Sequence, residues 1–109
     1  MNRIIVVTGG AAGIGRCTVE YFASKGDRIY FIDNNQEATL ALTERMHQKG
    51  LNVTSYTGDI AEKQVLEDFA RRVLDEQPQG IHCLINNACL MHGGILEGFD
   101  YEDFLYIQR

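Results

Sequence analysis

The sequence predicts an α/β fold built as a doubly wound parallel sheet. Three observations carry this. Short apolar runs alternate with longer stretches of helical periodicity. A glycine-rich turn joins the first run directly to the first helical stretch. The runs Ile29–Ile32 and Ile81–Ile85 are mostly apolar, as in parallel strands covered on both faces. Together they give strand 3–8, helix 13–25, strand 28–33, helix 36–49, strand 52–57, helix 62–77 and strand 81–86, then a loop and a helix beginning near 100.

The first strand rests on Ile4, Ile5, Val6 and Val7. The first helix carries Ile14, Val19, Phe22 and Ala23 at roughly helical spacing, and Gly26 ends it. The second carries Ala38, Leu42 and Met46 and ends at Gly50; the third carries Val65, Leu66, Phe69 and Val73 and stops before Pro78. Cys83 lies within the fourth strand and is expected to be buried. By analogy with doubly wound sheets the strand order is 3-2-1-4. The switch point then falls between the first and fourth strands, and ligands bind at the carboxyl ends.

Composition excludes several roles. The 109 residues are enough for one core, and 45% hydrophobic with 23% charged residues is ordinary for a globular protein. A net charge of -5 gives no electrostatic support for nucleic-acid binding. No apolar stretch approaches a membrane span, and Ile4–Val7 after Arg3 is too short for a signal peptide, so cytoplasmic residence is expected. Three cysteines, Cys17, Cys83 and Cys89, form no C-x-x-C pair, which fits reduced thiols. His82, Cys83, Cys89 and His92 lack the paired spacing of structural zinc sites and read as packing residues.

The informative segment is Thr8-Gly9-Gly10-Ala11-Ala12-Gly13-Ile14-Gly15. Glycines let the chain turn sharply and let a ligand approach the backbone, and the helix that follows offers free N–H groups to an anion. Gly9 would make the tight turn, Gly13 would admit a pyrophosphate, and Gly15 would let the helix lie close to the sheet. A plain strand–helix turn explains one glycine, not three at this spacing. Asp33, at the end of the second strand, is placed to accept hydrogen bonds from the ribose hydroxyls of an adenosine; a turn residue is the blander reading. Gly58-Asp59-Ile60 follows the third strand, and Asn86-Asn87-Ala88 closes the fourth. Asp59-x-x-Glu62 also has capping-box spacing for the third helix.

The T-G-x-x-x-G-I-G spelling, with these landmarks in order over residues 3 to about 100, resembles the short-chain dehydrogenase/reductase family. The resemblance implies a Rossmann-type domain over 1–109 that binds a nicotinamide dinucleotide and takes a small-molecule alcohol or carbonyl substrate in the complete enzyme. It implies that Asp59 and Ile60 hold adenine, beside the capping reading. It also implies that Asn86 braces the sheet, while Asn87 and Ala88 lie along the nicotinamide-side ribose. Cys89 stands where the family's N-N-A-G has glycine. Family members that use NADP place a basic residue in the glycine loop or after the second strand. Ala12 and Asn34 occupy those places here, so NAD is expected and NADP is less so. The expected cofactor set is thus Gly9, Gly13, Ile14, Gly15, Asp33, Asp59, Ile60, Asn87 and Ala88.

Family catalysis uses a tyrosine as acid or base, a lysine four residues on that lowers its pKa, and a serine. Tyr21-Phe22-Ala23-Ser24-Lys25 spells Y-x-x-x-K but lies at the far end of the first helix, about 15 Å from a phosphate at Gly15 by helical rise. It reads as a surface helix end. The catalytic Ser, Tyr and Lys are therefore expected beyond Arg109, leaving these residues catalytically incompetent alone. Phe99–Ile107 resembles the start of the family's next helix. The C-terminal strands being absent, an open fourth-strand edge is expected to invite self-association. A stand-alone nucleotide-binding module, or an interaction module without cofactor, is the alternative.

Overall fold

The computed structural model describes residues 2–88. In chain order it contains β1 (Ile4–Thr8), α1 (Gly13–Ser24), β2 (Arg28–Asp33), α2 (Gln36–Gln48), β3 (Val53–Thr57), α3 (Lys63–Glu76) and β4 (Cys83–Asn86). The expected helix near 100, Cys89 and His92 lie outside the described residues. The strands form one parallel sheet in the order β3-β2-β1-β4, as the sequence predicted. In register, Thr8 stands beside both Ile32 and Asn86, and Asp33 beside Thr57. All four carboxyl ends therefore meet at one edge.

Alternation along the strands divides the core between two faces. Ile5, Val7, Ile29, Phe31 and Val53 pack with Val19, Ala23, Leu42 and Met46 of α1 and α2. Val6, Tyr30 and Ile32 pack with Phe69 and Val73 of α3. The central strands β1 and β2 are covered on both faces, which is why they read as unbroken apolar runs.

β4 departs from the expectation. It is two residues shorter at its start, and Cys83 and Leu84 are exposed, with Leu84 at 53%. Among the described residues β4 pairs with β1, and of its side chains only Ile85 packs against the core on the α1 and α2 side, so apolar sequence there does not mean burial. His82 explains the late start. Its backbone N–H donates to Ile4 O at 2.8 Å, but its Nδ1, not a strand carbonyl, accepts the Ile4 N–H at 2.9 Å. Ile14, expected on the inner face of α1, is 78% exposed, and Leu66 of α3 is also exposed. Helical period alone does not say where a helix meets its neighbours.

The opposite edge is pinned by polar contacts. Asp27 is fully buried and accepts the Arg3 backbone N–H at 3.1 Å and the Arg3 guanidinium at 3.3 and 2.9 Å. This pairing holds the Asp27 carboxyl below the usual carboxylate range. The buried Tyr30 hydroxyl donates to Glu76 Oε1 at 2.8 Å and, with Arg28 and Arg72 nearby, lowers the Glu76 pKa.

Candidate functional site

The site grows from the end of β1. After Thr8 the chain turns through Gly9, with φ +68°, and the Gly9 N–H donates to Ile32 O at 2.8 Å. A Cβ on Gly9 would stand 2.9 Å from Ala88 Cα, and one on Gly15 would strike Gly9 O and the Asn87 amide. Two of the three motif glycines thus have a cause inside the protein: the segment after β4 lies against the loop. Gly13 differs. Its φ is +57°, and a Cβ there would meet nothing within 4 Å.

Gly13 also opens α1. Ala12 holds the N-cap position without a side-chain cap, and the first turn contains no acidic residue. α2 is the contrast: Asn35 Oδ1 accepts the Ala38 N–H at 3.0 Å, and Glu37 lies in the first turn. The partial positive charge at the start of α1 therefore faces open space with no protein anion supplied by its own first turn. Ile14 follows on the exposed flank, where Gly13, Ile14, Cys17, Thr18, Tyr21 and Phe22 line an open groove of about 530 Å³ along the helix.

Asp33 meets the same loop from β2. Its Oδ2 accepts the Ala11 N–H at 3.1 Å and its Oδ1 accepts the Asn35 N–H at 2.9 Å. The next strand is tied in by Gly58 N–H to Asp33 O at 3.0 Å, which leaves Asp59 one residue past that tie at the same edge of the sheet. Asp59 Oδ1 accepts the Ala61 N–H at 2.9 Å. This closes a tight turn two residues on. The capping box does not form, because α3 begins at Lys63 and Glu62 is its N-cap residue. Ile60 is half-buried and packs partly against the α3-side core, so only part of its side chain faces outward.

At β4 the brace falls to a different residue from the one the resemblance implied. Asn87 Nδ2 donates to Gly9 O at 2.9 Å. The backbone N–H groups of Asn87 and Ala88 both donate to Thr8 Oγ1, at 3.0 and 3.1 Å. Thr8 is buried and was missed as a site residue. Its partners lie some eighty positions away, and only its place at the head of the glycine motif could have singled it out. The nine expected residues therefore all sit at the carboxyl edge or the start of α1. Tyr21 does not: it is exposed on α1, with Lys25 Nζ 5.3 Å over its ring.

The short chain dehydrogenase family profile matches residues 3–107. An uncharacterized oxidoreductase of Thermotoga maritima is 32% identical over 90 residues, covering 83% of this chain and 35% of that protein. An apo SCOR enzyme from Clostridium thermocellum superposes with a TM-score of 0.78 at 35% identity, over 97% of this chain and 42% of its own. An L-sorbose reductase from Gluconobacter frateurii, solved with NADPH and L-sorbose, gives a TM-score of 0.80 over 96% of this chain and 40% of its own. At 22% identity that last likeness concerns the fold alone. The chain spans about two-fifths or less of the length of these relatives. A profile match across nearly all 109 residues, on this sheet and this glycine loop, means that the chain belongs to the short-chain dehydrogenase family.

Proposed function

We propose that these residues form the NAD-binding portion of a short-chain oxidoreductase, which transfers hydride between the nicotinamide and an alcohol or carbonyl substrate. The family binds nicotinamide cofactors and acts on small molecules. The observation that carries the reading is Gly13: a left-handed glycine, facing open space, at the uncapped start of α1. In this reading the amides around Gly13, Ile14 and Gly15 hold the diphosphate, and Gly9 lets the loop close. Asp33 takes the adenosine ribose, Asp59 and Ile60 border the adenine, and Asn87 and Ala88 follow the nicotinamide-side ribose. Asp59 retains acceptor capacity beyond its bond to Ala61, which adenine recognition needs. The chemistry a bound NAD supplies is hydride acceptance or donation. The chain's own part is to bind, orient and select.

Selection rests on charge. The Asp33 carboxylate would repel a 2′-phosphate, and the neighbouring Ala12 and Asn34 offer no cation to receive one. Calorimetric titration of the full-length protein tests this. NAD is expected to bind more tightly than NADP, and Asp33→Ala is expected to weaken NAD binding by about 1–3 kcal/mol. Equal affinities for both cofactors in the unmutated protein would contradict the selection; no binding of either would remove the reading.

A further inference from the structure

Asp33 has a second set of contacts that ribose recognition does not require. Both carboxylate oxygens hold backbone N–H groups of the protein: Oδ2 that of Ala11, Oδ1 that of Asn35. Asn35 is itself the cap of α2. The loop is fastened to the end of β2 at two points, Gly9 N–H on Ile32 O and Ala11 N–H on Asp33, and Ala11 is buried in the core on the α1 and α2 side. A hydrogen bond to an ionised acceptor is roughly twice as strong as one between neutral groups.

We propose that Asp33 is a positioning residue for the glycine loop, holding residues 10–12 against β2 before any cofactor arrives and tying them to the start of α2. The proposal rests on the cofactor reading of that loop. It has two consequences. Ala11 has a single N–H, which is committed to Asp33, so the diphosphate takes its backbone donors from the residues that follow. Each carboxylate oxygen keeps a lone pair for a ribose hydroxyl, and the two backbone bonds fix where that lone pair points. Cofactor choice and loop order are then one property. Removing Asp33 to admit a 2′-phosphate also releases the loop, so affinity for both cofactors falls and neither replaces the other.

Residue-resolved amide hydrogen exchange on the cofactor-free full-length protein tests this, alongside NAD and NADP titrations. In Asp33→Ala, Ala11 and Asn35 are expected to exchange at least tenfold faster, while Val7 and Phe31 keep their protection. NAD affinity is expected to fall at least fivefold with no gain for NADP. Asp33→Asn keeps the shape but leaves one acceptor oxygen, so one of the two amides is expected to lose protection. Unchanged exchange at Ala11, or an Asp33→Ala protein that binds NADP better than the unmutated one, overturns the proposal. If both variants fail to fold, the unmutated protein decides: an Ala11 amide exchanging at the rate of an open chain contradicts the brace, and a protected one upholds it. The exchange is read without cofactor. Faster Ala11 exchange in a protein that never binds NAD would therefore sink the cofactor reading and leave the brace standing.

Discussion

Single residues here answer to different neighbours although the motif writes them alike. Gly9 and Gly15 are glycine because Ala88, Asn87 and the loop's own carbonyl leave no room for a Cβ. Gly13 is glycine because its backbone is left-handed, and its outward side is open. Gly13→Ala separates backbone strain from ligand exclusion. The left-handed penalty is about 1–2 kcal/mol of stability, whereas NAD affinity is expected to fall at least tenfold because the methyl enters the space assigned to phosphate. Thermal melts and calorimetry on the same protein check both. A variant with the stability loss and unchanged affinity would place the diphosphate elsewhere. The spacing of these glycines was legible because it is local. The role of Thr8 was not, since its two donors come from the far end of β4. Nor was the reassignment of the brace from Asn86 to Asn87, which depends on how the chain leaves the strand.

At the scale of elements, helix and strand positions followed from period and punctuation, with helix ends shifting by one residue or so, and strand order followed from the doubly wound analogy. What period did not reveal was cover. Ile14, Leu66 and Leu84 look like core residues in sequence and are exposed in the fold, because burial depends on which element lies opposite. The polar fastening of the amino edge was equally hidden: Arg3 and Asp27 are 24 positions apart and join β1 to the turn before β2. That pair makes a pH prediction. Asp27 is held below its ordinary pKa, so the stability it contributes is complete above about pH 4 and disappears as the pH falls through its lowered value. Glu76, lowered by the Tyr30 hydroxyl, acts in the same direction. Asp27→Asn is expected to melt at lower temperature than the unmutated protein at pH 7, with the difference narrowing in acid. A difference that stays constant from pH 7 to pH 3 would count against this linkage.

At the scale of the whole molecule, the sheet among the described residues is covered at its centre and exposed at β4. β2 and β1 are buried on both faces, while β4 leaves Leu84 and Cys83 exposed, and Leu66 and Leu74 of α3 are exposed as well. Exposed apolar strands associate. The 109-residue chain alone is therefore expected to sediment as dimers or larger species, and Leu84→Lys to shift it towards monomer. A monodisperse monomer at high concentration would exclude association through this strand. Residues 1–109 carry the proposed cofactor machinery but no Y-x-x-x-K at the carboxyl edge among the described residues, so the same preparation is expected to show no carbonyl reduction with NADH.

A crystal structure of the full-length protein grown with NAD tests the central claim most directly. The diphosphate is expected at the first amides of α1, beside Gly13, with the adenosine ribose on Asp33. Density for the diphosphate at any other part of the surface, with the start of α1 empty, would contradict it.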